Sequence, residues 1–143
     1  MNDSIELEIP PHAAFLDVVR TVIATTAGID PLLPEQRVAD LRLAVSEACA
    51  NAIHAHQRVH CTDTVQVRCQ VEDTRITVEI VDHGGGFDPD ALAPLPAATD
   101  PARLQHERGL GIPLMRALTD ELDIRPLDDG TLVSLVLHLP EVG

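Results

Sequence analysis

The sequence predicts an α+β fold built as a two-layer α/β sandwich, with helices covering one face of a mixed, mostly antiparallel sheet. Two observations point there. Alternating apolar and polar residues recur in hairpin pairs rather than in strict strand–helix–strand order. Three other segments carry apolar residues at helical spacing. With 143 residues, no internal repeat and no dividing linker, one domain spanning 1–143 is expected.

The elements follow in order. Residues 4–9 alternate strictly, as a half-buried strand should, and Pro10-Pro11 ends the run. Residues 12–27 place Phe15, Leu16, Val19, Val22 and Ile23 at helical spacing, with Gly28 suited to the C-terminal cap. Pro31 and Pro34 frame a longer helix that runs to about Arg58. Residues 64–71 and 76–81 then read as a hairpin joined by Glu72-Asp73-Thr74-Arg75. A proline-rich stretch, 87–108, shows little periodicity, and a loop that long inside a compact domain is usually a functional lid or disordered. Gly109-Leu110-Gly111 opens a third helix, expected to reach about Leu122 with Ile112, Met115, Leu118 and Leu122 on one stripe. A last hairpin covers 123–127 and 131–139 around a turn at Asp128-Asp129-Gly130.

Composition narrows the function. Hydrophobic residues make up 45% of the chain but aromatics only 1%, so Leu, Val, Ile and Ala must build the core. Only Phe15 and Phe87 could stack on a base, and a formal net charge of −13 repels a phosphate backbone, so direct nucleic-acid binding is not expected. A basic protein partner would be attracted by the same charge, which also serves simply to keep the chain soluble. Cys49, Cys61 and Cys69 form no C-x-x-C pair, and Cys49 and Cys69 fall in apolar-patterned segments as core thiols. No signal peptide and no apolar run near ~18 residues is visible, so a cytoplasmic protein without a membrane anchor is expected.

The long helix has two faces. Val38, Leu41, Val45, Ala48, Cys49 and Ala52 gather into the stripe that should pack on the sheet. Glu47, Asn51 and His54 project to the other side with Asp40 and Arg58. A solvated polar face accounts for that pattern. A more specific account is that an Asn oxygen ligates Mg²⁺ while a carboxylate one turn earlier accepts a proton from an incoming hydroxyl.

Two glycine segments could complete such a site. Asp82-His83-Gly84-Gly85-Gly86 lies at the end of an apolar strand, where glycines let the backbone approach a ligand and the Asp could accept from an exocyclic amine. An Asp-capped turn is the plainer alternative. Gly109-Leu110-Gly111 precedes a helix whose N-terminal N–H groups suit a phosphate, and Pro113 suits its first turn. Gly130-Thr131 fits an ordinary hairpin turn followed by a β-favouring residue. Neither a Walker A loop nor a dinucleotide G-x-G-x-x-G is present. His56 and His60 stand at i, i+4, but no third ligand for a zinc site is evident.

Taken in order, Ser46-Glu47-Ala48-Cys49-Ala50-Asn51, then Asp82-x-Gly84-x-Gly86, then Arg108-Gly109-Leu110-Gly111 and Gly130-Thr131 resemble the GHKL, or Bergerat-fold, ATP-binding domain. Their order and spacing look like its small bacterial branch, the anti-sigma-factor serine-protein kinases of the RsbW and SpoIIAB type. The resemblance implies ATP and Mg²⁺ held between the helix layer and a lid at about 87–108. It implies Glu47 as general base, Asn51 as Mg²⁺ ligand, Asp82 as adenine acceptor, and Gly84 and Gly86 as walls of the base pocket. Arg108, Gly109, Leu110 and Gly111 would form the phosphate-contacting lid hinge, with Thr131 near the adenine. It further implies a sigma factor and an anti-anti-sigma (STAS-domain) protein as partners, phosphorylation of the latter on serine, and a possible homodimer. The chain departs from the pattern at Ala55, where members often carry His; His54 comes one place early and reads as a neighbour of the site. Two other functions stay open on sequence: a non-catalytic ATP-gated binding module, and a detached histidine-kinase catalytic domain. The second lacks a dimerisation helix pair with its phosphoacceptor His.

Overall fold

A computed structural model describes residues 2–85 and 111–141 of the chain. Five strands form one sheet in the order β1-β2-β3-β5-β4, numbered along the chain as β1 Asp3–Ile9, β2 Val65–Val71, β3 Arg75–Asp82, β4 Glu121–Pro126 and β5 Thr131–His138. All four pairings are antiparallel, so among the described residues nothing parallel enters the sheet. Among the described residues three helices accompany it: α1 Leu16–Ala27, preceded by a 3₁₀ turn at Ala13–Phe15, α2 Glu35–Arg58 and α3 Gly111–Leu118.

Side-chain alternation puts the core on one side of the sheet. Leu7, Val67, Ile80, Val133 and Ile124 stand in one row across all five strands. They share a face with Cys69, Ile76, Val78, Leu135 and Leu137, all buried, whereas the neighbouring positions Gln66 and Arg68 are exposed. Against this face α2 lays Leu41, Val45, Ala48, Cys49 and Ala52, as its spacing predicts, and Val38 packs at the margin. Helix α1 adds Val19 and Ile23, and α3 adds Met115. No Phe, Tyr or Trp ring is buried among the described residues; Phe15 is half-buried at the edge. The helix layer and the sheet are therefore held together by aliphatic area, at about 25 cal/mol per Å² removed from water.

The helix boundaries differ from the sequence expectation at two places. α3 stops at Leu118, and Leu122 belongs to β4, paired with Leu135. Leu122 fits a helical stripe with Leu118 but alternates equally well with Ile124. Three long-range contacts break the tie in favour of the strand. Arg37 reaches from α2 to the Leu118 carbonyl at 3.5 Å and to the Asp120 carboxylate at 3.1 Å, and Asp120 in turn accepts from the His138 N–H at 2.7 Å. At the end of α1, Gly28 does occupy the cap, but with φ −70° it keeps a right-handed conformation instead of the left-handed one that favours glycine.

Candidate nucleotide site

The polar residues of α2 are less exposed than a projection suggests. Glu47 and Asn51 are half-buried, because the start of α3 lies over them. A Cβ built on Gly111 would stand 3.2 Å from Glu47 Oε2 and 3.3 Å from Asn51 Nδ2, so a side chain there would crowd both groups and make them give way by a few tenths of an ångström. Among the described residues, neither Glu47 nor Asn51 has a side-chain hydrogen-bond partner. A carboxylate and a carboxamide with no side-chain partner among the described residues thus converge on a helix N-terminus, an arrangement suited to a cation and anionic oxygens together.

One turn further along the same ridge, Ala55 meets the other glycine segment. A Cβ on Gly84 would come within 2.5 Å of the Ala55 Cβ and 2.7 Å of its carbonyl carbon. Glu47, Asn51 and Ala55 stand at i, i+4 and i+8, so the two glycine contacts are spaced along one face of α2 over roughly 12 Å. His54 is half-buried on the same helix. The open groove at the α1–α2 connection, lined by Gly28, Leu33, Val38 and Arg42 among others, shares no lining residue with this ridge.

Asp82 closes β3 on the covered face and is buried. Its Oδ1 accepts the Gly84 N–H at 3.0 Å, and Gly85 then turns with φ +87°, the left-handed region for which glycine is suited. Burial raises the Asp82 pKa, against the opposing effects of the Gly84 N–H, the His83 imidazole and the Thr131 N–H. Thr131 is buried beside it on β5, in register with Asp82. Gly130 is more than a turn residue: a Cβ there would fall 1.8 Å from the Asp82 carbonyl oxygen, so the β4–β5 turn can pass the end of β3 only as glycine. The same turn receives the Gly85 N–H on the Asp129 carbonyl at 2.9 Å and pairs the Asp129 carboxylate with His83 Nδ1 at 3.0 Å.

The structure thus brings Glu47, Asn51 and Gly111 together, and Asp82, Gly84 and Thr131 together. Gly86, Arg108, Gly109, Leu110 and the expected lid at 87–108 lie outside the described residues. Sequence reasoning passed over His56, treating it only as a possible metal ligand. It is wholly buried, with Nε2 accepting the His83 N–H at 2.7 Å and Nδ1 3.0 Å from the Asp63 carbonyl oxygen. Its spacing of five from Asn51 on a helix gives no sign of that role, since the His83 turn lies far along the chain and the Asp63 carbonyl is placed only by the course of the connection after α2. No cluster of three or more His, Cys, Asp or Glu suited to a metal ion occurs among the described residues. Nor is any described helix long and apolar enough to cross a membrane.

Comparisons with known proteins bear on this geometry. The histidine kinase-like ATPase domain pattern matches residues 9–137. An anti-sigma F factor of Caldanaerobacter subterraneus subsp. tengcongensis is 33% identical over 142 residues, covering 96% of this chain and 95% of that protein. A serine-protein kinase RsbW of Bacillus pumilus is also 33% identical, over 96% of this chain and 86% of its own length. Among solved structures, the RsbU and RsbW domains of Rv1364c from Mycobacterium tuberculosis match with TM-score 0.68 at 15% identity, covering 94% of this chain but only 31% of that one. The SiaB-SiaC complex from Pseudomonas aeruginosa matches with TM-score 0.59 at 15% identity, over 94% and 89%. At that identity the two structures speak for the fold.

Proposed function

The chain belongs to the histidine kinase-like ATPase domain family, and on that footing we propose that it is an anti-sigma factor and ATP-dependent serine-protein kinase. It binds a sigma factor and transfers the γ-phosphoryl group of ATP to a serine of an anti-anti-sigma, STAS-domain protein. The observation that carries the reading is the cradle at Gly111, where a carboxylate and a carboxamide with no side-chain partner among the described residues face a helix N-terminus at a point that a Cβ would crowd. That donor set fits Mg²⁺ and a triphosphate: a carboxamide gives a hard oxygen ligand, and unpaired helix N–H groups give a positive end for phosphate oxygens. Relatives named as an anti-sigma F factor and as serine-protein kinases support the partner and acceptor classes.

In this reading each group has one task. The Asp82 carboxylate accepts from the adenine amine, and Gly84 and Gly86 keep the pocket wall free of side chains. Asn51 holds Mg²⁺ through its oxygen. When bound, the metal offsets negative charge on the phosphates. Glu47 takes the proton of the incoming serine hydroxyl as its oxygen bonds to the γ-phosphorus, the bond from that phosphorus to the bridging oxygen breaks, and ADP leaves. One domain spanning 1–143 would carry the site, and the lid expected at 87–108 with its hinge at Arg108, Gly109 and Leu110 lies outside the described residues. Because catalysis here is mostly positioning and electrostatics, a 1 Å displacement of Glu47 alone would cost on the order of 10²-fold in rate.

Incubation with γ-labelled ATP and a STAS-domain protein tests the proposal. Label should appear on a serine of the partner, and Glu47→Ala should abolish transfer while nucleotide affinity by calorimetry stays near that of the parent. Nucleotide binding with no transfer to any of a panel of such partners would establish instead an ATP-gated binding module. Full turnover by Glu47→Ala would take the base assignment away from Glu47.

A further inference from the structure

His56 occupies the last turn of α2 with no solvent exposure, and its two ring nitrogens face partners of opposite kind. Nε2 lies 2.7 Å from the backbone N–H of His83, a donor, and Nδ1 lies 3.0 Å from the carbonyl oxygen of Asp63, an acceptor. Only the neutral ring protonated at Nδ1 satisfies both, because the imidazolium or the other tautomer would aim an N–H at the His83 N–H. The ring thereby joins α2, the connection to β2 and the turn after β3. The peptide it grips is the one that directly follows Asp82.

From this tie we infer that His56 is the positioning residue for recognition of the nucleotide base. By holding the His83 peptide it fixes the Asp82 carboxylate, whose Oδ1 is already engaged by the Gly84 N–H at 3.0 Å, and so sets which base edge that carboxylate can accept from. The remaining restraints on the turn come from other directions. Ala55 blocks Gly84 from below, and Asp129 holds both the Gly85 N–H and the outer nitrogen of His83. None of them fixes the backbone N–H between Asp82 and His83. Facing the ring are Asp82, the His83 imidazole at 6.1 Å between ring centres, and Asp63 through its carbonyl oxygen, while the Cys61 N–H is held by the backbone carbonyl of His56 at 2.9 Å. The inference rests on the nucleotide reading for its ligand, but the tie itself does not.

Two measurements test it. Long-range ¹H–¹⁵N NMR of the unliganded parent protein should show His56 protonated at Nδ1 and bare at Nε2; a ring protonated at Nε2 overturns the inference without any variant. Calorimetry with ATP and GTP should then separate positioning from plain core filling. His56→Gln puts an acceptor oxygen near the place of Nε2 and keeps the preference for ATP. His56→Leu fills the space without an acceptor, so ATP affinity falls about tenfold while the ATP/GTP preference collapses towards unity. An unchanged preference in folded His56→Leu overturns the inference. Should the parent bind neither nucleotide, the nucleotide reading itself fails. The positioning role is then judged by hydrogen exchange at the His83 amide, slow in the parent and His56→Gln and fast in His56→Leu; equal protection in all three overturns it. Should Leu prevent folding, the tautomer and the Gln variant's retained preference decide.

Discussion

Burial raises the Asp82 pKa above its ordinary 3.8, and the N–H groups and the His83 imidazole around it only partly offset the effect. For a carboxylate shifted upward the linkage runs opposite to the usual case. Between 3.8 and the raised value the native state still holds a proton that the unfolded chain has released, so stability falls as pH rises through that window. Above it, the ionised Asp82 remains a standing penalty on the unliganded fold. A ligand amine donating to that carboxylate would relieve it. Asp82→Asn should therefore raise the melting temperature of the unliganded protein at neutral pH while weakening ATP binding by about 1.5–3 kcal/mol, the range for a hydrogen bond to a charged group. A variant that melts lower than the parent contradicts the buried-charge penalty, and one that binds ATP equally well moves the adenine contact elsewhere. Gly84 offers a steric counterpart. Gly84→Ala should destabilise by about 1–3 kcal/mol, the usual cost of overpacking. Adding Ala55→Gly should recover only part of this, since the Ala55 carbonyl carbon remains 2.7 Å from the new methyl. Full recovery in denaturant titrations would mean that the two backbones can separate freely.

At the scale of elements, the strongly periodic segments were legible in the sequence and the ambiguous ones were not. α2 could be bounded within a residue or two because Pro34 stands at its start and a long apolar stripe runs through it. The end of α3 was not legible, since Leu122 satisfies both periods and the deciding contacts come from Arg37 and His138 far along the chain. Gly130 read as a hairpin turn, yet its necessity comes from the Asp82 carbonyl on another strand. His56 was illegible for the same reason: its partners are set by tertiary folding. The two layers make one further commitment that can be checked. Cys49 on α2 and Cys69 on β2 both lie in the core, and burial pushes their thiols up to about 12 and about 11. Both stay protonated and inaccessible at neutral pH, whereas Cys61 in the connection is half-exposed. A thiol reagent should modify Cys61 alone in the native protein and all three cysteines in denaturant. Rapid native labelling at Cys49 would show that α2 lifts from the sheet far more often than a core element should.

Across the whole molecule, 23 acidic residues against 10 basic ones leave a field that acts before any contact forms. The layered α/β arrangement follows from patterning that the sequence displays, but the strand order β1-β2-β3-β5-β4 does not, because nothing local says that β5 inserts between β3 and β4. Charge works differently: it needs no register, and its consequence for partners can be argued from composition. A surface of this sign repels nucleic acid and draws a basic protein region, raising the encounter rate without adding to the contact energy in proportion. The Debye length shrinks from about 10 Å at 0.1 M salt to about 3 Å at 1 M, which removes long-range attraction while leaving packed contacts in place. Stopped-flow association with a sigma factor should therefore slow on the order of tenfold between low and high salt, with dissociation changing much less. An association rate flat across that range would mean that the acidic surface faces away from the partner and serves only to keep the chain dispersed.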